Sequence, residues 1–129
     1  MYLSVDIGGT KTLIALFSRR GRVLKKRKFR TAKGAEKFRT DLARNLSDFK
    51  RFQRIRVITV AIPGVVQKNY SVRFGNRDWD NIDLITPIKN LFNCPIYFEN
   101  DANLATLYEA AGLPGRTVFL TFRLGLAAG

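Results

Sequence analysis

Two glycines, a threonine and a lysine interrupt a strand-like apolar segment near the start of the chain. The segment reads SVDIGGTKTLIALFS, so that Asp6 precedes Gly8, Gly9, Thr10 and Lys11. Glycines permit positive φ and let backbone N–H groups approach a ligand, while the hydroxyl and ammonium groups can bind phosphate oxygens. The carboxylate of Asp6 is placed to hold a hydrated Mg²⁺ near such a phosphate. The alternative is a plain hairpin that uses the glycine pair for its backbone freedom.

A second polar group lies where a strand passes into a helix. The segment FENDANLATLYEA places Glu99, Asn100 and Asp101 at this junction. A carboxylate here can take a proton from an incoming hydroxyl, and an asparagine amide can both donate to and accept from a polyol. The alternative is that Asn100 or Asp101 only caps the helix, which is a common role for both residue types.

Two further segments have simple structural interpretations beside functional ones. Pro63 and Gly64 follow a buried strand in AIPGVV, and Trp79 lies in GNRDWD. The proline and glycine are typical of the end of a strand, and a single tryptophan is typical of a core anchor.

The elements that must position these residues follow from hydrophobic periodicity. Strands are expected at residues 2–7, 12–18, 23–30, 55–62, 95–99 and 117–122, with a further short strand within 70–74. Helices are expected at residues 35–52, 82–93 and 100–112. The resulting order, βββαβαβα and then a last strand, is typical of an α/β fold with a mixed sheet of five or six strands and helices on both faces.

Apolar spacing and proline position support the first two helices. Phe38, Leu42, Leu46 and Phe49 recur at spacings of four, four and three, which indicates one buried helix face. Pro87 falls in the first turn of the second helix, where a missing N–H is tolerated.

Basic residues are concentrated in one part of the chain. The net charge is +13, and 16 of the 23 Lys and Arg lie between residues 19 and 56, where the acidic residues are Glu36, Asp41 and Asp48. Such a patch attracts polyanions, so nucleic acid is one candidate partner, while a solvated face is the simpler interpretation. No aromatic-interleaved RNA-binding signature, helix-turn-helix pattern or Cys/His finger accompanies the patch.

Residue usage argues against several other classes of protein. Cys94 is the single cysteine and there is no histidine, so neither an internal disulfide nor a zinc site is expected. No apolar run approaches about 18 residues, and the first residues lack the features of a signal peptide. We therefore expect a cytoplasmic protein without a membrane partner.

The segments DIGGTKT, IPGVV, N-x-x-W and ENDAN occur in a specific order. In this order they resemble the N-terminal lobe of the ROK group (repressors, open reading frames and sugar kinases), and the resemblance runs from Val5 to the last residue. It implies a ribonuclease-H-like lobe of the actin-like ATPase superfamily, formed as one domain by residues 1–129. It also implies phosphoryl transfer from ATP, with Mg²⁺, to a hydroxyl of a hexose.

The same resemblance implies roles for the residues that bind the sugar. Asp101 would be the general base that takes the proton from the sugar hydroxyl, and Asn100 beside it would bind neighbouring hydroxyls. Asn76 and the backbone at Gly64 would be further sugar contacts.

For the nucleotide, the resemblance implies a phosphate loop at the glycine pair. Gly8, Gly9, Thr10 and Lys11 would form this loop, and Asp6 would lie close to the metal ion.

The end of the chain departs from the family pattern. Where the family has a second glycine-rich phosphate loop, residues 123–129 read RLGLAAG, so at least two glycines are replaced and a threonine becomes leucine. The family's C-terminal lobe is expected to be absent. The candidate partners are a companion chain that supplies this lobe, or further copies of the chain in a homo-oligomer.

Three hypotheses follow from these observations. The first is the sugar-binding and phosphate-binding lobe of a hexose kinase. The second is a non-catalytic sugar-sensing or regulatory domain, which the altered last loop favours. The third, ranked lowest because it leaves DIGGTK and ENDAN unexplained, is a basic nucleic-acid-binding module.

Overall fold

A meander of three antiparallel strands begins the chain, as the apolar pattern predicts. The computed structural model describes residues 1–52, 54–67, 71–73 and 79–103, with the backbone alone at 71–73. The strands are β1 (Tyr2–Ile7), β2 (Lys11–Phe17) and β3 (Val23–Arg30). Each pairs antiparallel with the next, and the β2–β3 register shifts between Leu16 and Phe17.

The first helix carries the predicted buried face but ends earlier than predicted. It is α1 (Ala35–Ser47), whereas the apolar spacing predicted a helix reaching residue 52. Beyond Ser47 the chain continues in turns in which the N–H of Phe49 donates to the carbonyl of Leu46, three residues earlier, at 2.9 Å. Because these turns keep Phe49 on the same side as Leu46, both are completely buried although only one is helical.

Short elements connect the middle of the sheet to its last described strand. They are β4 (Val57–Ile62), β5 (Val65–Val66), β6 (Ser71–Arg73), β7 (Ile82–Asp83), α2 (Ile85–Lys89) and β8 (Ile96–Asn100). Strands β5, β6 and β7 form a second, antiparallel sheet, and β6 lies within the predicted segment 70–74.

The helix predicted over residues 82–93 is shorter than expected. Ile82 and Asp83 belong to β7, where they pair with β6. The carboxylate of Asp83 then accepts the N–H groups of Ile85 and Thr86 at 3.0 and 3.1 Å, which fixes the start of α2. Pro87 lies in the first turn, as predicted.

The larger sheet confirms the predicted mixed α/β topology. Its order is β3-β2-β1-β4-β8, with β1, β4 and β8 parallel and the meander antiparallel. A helical turn begins at Asp101, after β8. Residues 104–129, which include the predicted strand at 117–122, lie outside the described residues.

The core lies between the larger sheet and the two helices. On β1, Leu3, Val5 and Ile7 are buried toward α1 and α2, whereas Tyr2 and Asp6 face the opposite side. We call this opposite side, which carries Tyr2, Ser4 and Asp6 from β1, the open face. Within the described residues, no helix has the length and apolar character needed to cross a membrane.

Leu42 at the centre of α1 tests this packing. Leu42→Ala is expected to lower the free energy of unfolding by about 2–5 kcal/mol, because it leaves a cavity in the core. The control is Leu24→Ala, since Leu24 is 51% exposed and its truncation should change stability by less than about 0.5 kcal/mol. Urea denaturation measures both, and equal losses would contradict the assigned core.

Candidate active site

The predicted site residues from three separate segments lie at one edge of the larger sheet. Because β1, β4 and β8 run parallel, their carboxyl ends meet there. The register places Asp6 beside Ala61 and Ala61 beside Glu99, so the backbones of Asp6 and Glu99 are roughly 10 Å apart. Gly64 follows β4 and Asp101 follows β8. The structure therefore brings the start of the glycine hairpin and the ENDAN segment to the same edge.

Asp6 and Asp101 are close enough to interact electrostatically. Partial burial, and to a smaller extent the negative charge of Asp101, raise the pKa of the Asp6 carboxyl above its ordinary value. Asp6 still reaches solvent, so its desolvation is only partial. The negative charge of Asp101, the predicted general base, thus acts on Asp6, which lies near the end of β1 just before the glycine hairpin.

The hairpin needs its first glycine for close approach. The N–H of Gly8 donates to the carbonyl of Lys11 at 2.9 Å, and a Cβ on Gly8 would lie 2.7 Å from the same oxygen. A Cβ on Gly9 would meet nothing within 4 Å. Neither glycine has a positive φ, so the pair does not use the left-handed backbone that glycine permits. What Gly8 provides is room for the Lys11 carbonyl.

A pair of buried threonines holds this hairpin from the side of β3. The hydroxyl of Thr31 donates to the carbonyl of Gly8 at 3.0 Å and lies 2.9 Å from the hydroxyl of Thr12. Since the one hydroxyl proton of Thr31 is directed at Gly8, Thr12 is the donor between the two threonines. The N–H of Thr31 also donates to the carbonyl of Thr10 at 2.9 Å. The backbone of the hairpin is therefore fixed before any ligand binds.

The polar side chains of the hairpin are exposed. Thr10 and Lys11 are both solvent-exposed, and within the described part of the chain neither side chain forms a hydrogen bond or ion pair. Lys11 is the first residue of β2 and the register partner of Arg30. Both cations therefore lie on the open face, as Asp6 does. A hydroxyl and two cations therefore surround the glycine pair.

Asn100 links the ENDAN segment to the loop after β4. Its Nδ2 donates to the carbonyl of Gly64 at 2.8 Å, and its Oδ1 accepts the N–H of Ala102 at 2.9 Å. Asp101 Oδ1 accepts the same N–H at 2.8 Å. The capping interpretation is therefore part of the structure. The predicted sugar contacts at Gly64 and Asn100 are hydrogen-bonded to each other.

Glu99 orders this segment, a role for which the sequence analysis gave no assignment. Its Oε1 accepts the N–H of Asn100 and the Nδ2 of Asn103, both at 2.8 Å. The signal was present in the spacing, because Asn103 follows Glu99 by four residues across a helix start.

The carboxylates at this edge fit a hydrated magnesium ion. Within the described residues, no group of three or more His, Cys, Asp or Glu side chains could hold a metal ion. Mg²⁺ instead usually takes one or two carboxylates together with phosphate oxygens and waters. Asp6, whose pKa is raised by partial burial and less by the negative charge of Asp101, and Asp101 are the two carboxylates at this edge that would hold the waters of such an ion.

Two other predicted positions have different outcomes. Trp79 is completely buried, its ring centroid lies 4.4 Å from that of Phe38, and its Nε1 donates to the carbonyl of Lys33 at 2.7 Å. The core-anchor interpretation of Trp79 is confirmed. Asn76 and the altered loop at residues 123–129 lie outside the described residues, so their roles stay predictions.

The threonine pair gives a stability test of the hairpin. Thr31→Val is expected to cost about 1–3 kcal/mol of unfolding free energy, because it leaves the buried Thr12 hydroxyl and Gly8 carbonyl without their partner. The control is Thr40→Val, whose exposed hydroxyl bonds only within α1 and whose loss should cost less than about 0.5 kcal/mol. Equal effects in thermal or urea unfolding would contradict the assigned role of Thr31.

The carboxylate pair gives a test by titration. Asp101→Asn is expected to lower the pKa of Asp6 toward its ordinary value without fully restoring it, because burial is the larger cause of the shift. A raised pKa means that the folded chain binds the proton more tightly than the unfolded chain, so ionising Asp6 lowers stability as the pH rises through this range. Asp101→Asn should therefore stabilise the chain at neutral pH more than in acid.

NMR titration of the Asp6 carboxyl carbon measures this shift directly. Glu36→Gln, which removes a carboxylate from the first turn of α1, is the control and should leave the titration of Asp6 unchanged. An unchanged pKa in Asp101→Asn would show that the two carboxylates are too far apart to share a site.

Comparisons with known proteins show what the chain is similar to. The chain is 28% identical to a fructokinase of Lactococcus lactis subsp. cremoris over 136 aligned residues, covering 99% of this chain and 45% of the relative. It is 38% identical to a xylose repressor of Bacillus spizizenii over 63 residues, covering 48% of this chain and 15% of the repressor.

A solved structure gives the same result for the fold. A ROK family glucokinase from Streptomyces griseus, in complex with glucose and AMPPNP, matches with a TM-score of 0.70 and 28% identity, covering 84% of this chain and 36% of the glucokinase. The chain thus spans less than half the length of each of these relatives. The ROK family matches over residues 2–121, and the chain belongs to that family.

Proposed function

We propose that this chain is the sugar-binding and phosphate-binding lobe of an ATP-dependent hexose kinase. The observation that carries the proposal is the meeting of Asp101 and the glycine hairpin at one sheet edge. Asp6 precedes the hairpin, and the negative charge of Asp101 contributes to its raised pKa, after the larger effect of burial. Phosphoryl transfer asks a protein mainly to position an alcohol and a phosphate and to offset charge. This edge has groups for each of these tasks.

On the sugar side, Asp101 takes the proton of the attacking hydroxyl. Among the described residues, its Oδ1 accepts the N–H of Ala102. The second carboxylate oxygen, Oδ2, is then the one proposed to contact a substrate. The carbonyl of Gly64 accepts from Asn100 and has a second lone pair for a sugar hydroxyl. Asn76 completes the proposed set of sugar contacts.

On the phosphate side, the hairpin binds the phosphates of ATP. The backbone at Gly8 and Gly9, the hydroxyl of Thr10 and the ammonium of Lys11 are the proposed ligands. When bound, Mg²⁺ neutralises charge that develops on the phosphate oxygens, and Asp6 is the residue that holds its waters.

The family relatives support a kinase that needs a second lobe. The matched fructokinase and glucokinase are more than twice the length of this chain, and the cleft between two lobes excludes water and closes on substrates. A companion chain would supply the second lobe, and a homo-oligomer is the other candidate assembly. A cytoplasmic location, where ATP is available, belongs to the same proposal.

A regulatory role is the second candidate. The segment shared with a xylose repressor has the higher identity, 38%, although it covers only 48% of this chain. The substituted glycines in residues 123–129 also favour a domain that binds sugar without phosphoryl transfer. Both candidates use the same sugar contacts and differ in turnover.

Fusing a second lobe to the chain separates the two candidates. The chain is fused at Gly129 to the second lobe of the Streptomyces griseus glucokinase, and ADP release is measured with hexoses and Mg-ATP. We expect turnover in the fusion and very little in the 129-residue chain. Asp101→Asn in the fusion should lower kcat at least about 100-fold while hexose binding, measured by calorimetry, changes far less. Glu36→Gln is the control.

Three other results of the fusion experiment would each contradict part of the proposal. Hexose binding without turnover in the unsubstituted fusion would favour the regulatory domain over the kinase. Full turnover in Asp101→Asn would contradict the assignment of the general base. Normal turnover by the 129-residue chain alone would contradict the need for a second lobe.

A further inference from the structure

The cations on the two faces of the edge strand β3 differ in the contacts they make. Toward α1, the Nζ of Lys25 lies 3.3 Å from the carbonyl oxygen of Asp48 and 4.9 Å from the centroid of the Phe49 ring. On the same side, the Nε of Arg27 donates to Asn45 Oδ1 at 3.0 Å. These two cations therefore have a structural role, because they bind residues of α1 and of the turns that follow it.

The cations on the open face have no such structural role among the described residues. Lys26, Lys28 and Arg30 alternate with the first set and are all exposed. Within the described part of the chain, none of these three side chains forms an ion pair or a hydrogen bond. Alternate residues of a strand are about 7 Å apart, so the three charges form a straight row. We call Lys26, Lys28 and Arg30 the open-face cations.

The row continues at both ends. At one end Lys11 is the register partner of Arg30. At the other end the β2–β3 turn carries three exposed arginines, Arg19, Arg20 and Arg22. The Oγ of Ser18 accepts the N–H groups of the second and third arginines at 3.3 and 3.1 Å, which fixes the turn. The positive row therefore extends roughly 27 Å along β3.

Exposed aromatic rings share this face with the cations. Tyr2 is 40% exposed and is the register partner of Phe17. Tyr97 is 59% exposed and lies in the register row that crosses the sheet to Lys26. The aromatic residues of the basic segment itself, Phe29, Phe38, Phe49 and Phe52, lie in the core or pack against it. The fold supplies the rings of the open face from β1, β2 and β8.

We propose that the open face binds single-stranded nucleic acid, with phosphates along the open-face cations and bases on Tyr2 and its neighbours. A positive track beside exposed aromatic rings is the arrangement by which proteins bind single strands without sequence preference. Acidic peptides and inorganic polyphosphate have no bases for the tyrosines, and a duplex keeps its bases stacked inside. The open-face cations and Tyr2 are not among the proposed sugar contacts or phosphate ligands.

A competing explanation is that the charges only protect an edge strand. Lysines on an edge strand block pairing with other chains, and β3 lies at the edge of the described sheet. That explanation needs charge alone and gives no role to Tyr2. A test must therefore examine both the cations and the ring.

Binding to a labelled oligouridine of about 12 nucleotides is measured by fluorescence anisotropy on the full 129-residue chain between about 50 and 200 mM salt. The variant Lys26→Gln/Lys28→Gln/Arg30→Gln should weaken binding and reduce the slope of log K against log salt by about 2. The control Lys50→Gln/Arg56→Gln/Lys89→Gln removes the same charge away from the open face and should retain most of the slope.

The ring is tested separately. Tyr2→Ser should weaken binding at least about fivefold, and Tyr2→Phe, which keeps the ring, should bind like the parent chain. Circular dichroism confirms that each variant is folded. Any of four results would overturn the proposal. They are equal losses of affinity in the two triple variants, no effect of Tyr2→Ser, equal binding of a duplex of the same length, and no binding of the oligouridine at all.

Discussion

The parallel register of β1, β4 and β8 is the constraint on which the site depends. Leu3, Val5 and Ile7 are buried on one face of β1, which leaves Asp6 on the other. A slip of one residue would bury Asp6 and expose the three apolar side chains, so hydrophobic burial fixes the register strongly. With the register fixed, the carboxyl ends of three strands meet, and the chemistry of the edge follows from the packing of the core.

Residues with proposed chemical roles also have structural roles at the start of the helical turn after β8. Asn100 and Asp101 both accept the N–H of Ala102, yet each retains capacity for another partner. The capping and binding interpretations therefore do not exclude each other. Glu99, which accepts from the backbone of Asn100 and the side chain of Asn103, holds the segment in the conformation that both roles need.

The sequence predicts elements whose periodicity is local and misses contacts between distant segments. The spacing of Phe38, Leu42 and Leu46 is sufficient for α1, and the three-strand meander follows from its apolar runs. The two-residue strand β7 has no periodicity, and it forms only because β6 lies beside it. The Thr12–Thr31 contact joins residues 19 positions apart in the chain, so no local pattern reveals it.

The same distinction applies to the site. Through their resemblance to the ROK family, DIGGTK and ENDAN predict a phosphate loop and a sugar-binding carboxylate, but they do not show why Gly8 must be glycine. That reason is the Lys11 carbonyl, 2.7 Å from where a Cβ would lie. Likewise, the basic segment alone does not show that the cations of β3 divide into two sets, one hydrogen-bonded to residues 45 and 48 and one without such bonds among the described residues. Register and burial decide both.

The central claim is that one sheet edge binds a sugar and a phosphate side by side. Amide NMR spectra of the isotope-labelled chain, recorded with glucose and separately with Mg-ATP, test it most directly. The account predicts that glucose shifts the signals of Gly64, Asn100 and Asp101, and that Mg-ATP shifts those of Gly8, Gly9, Thr10 and Lys11. Shifts by both ligands confined to β3 and the β2–β3 turn, with none at this edge, would contradict it.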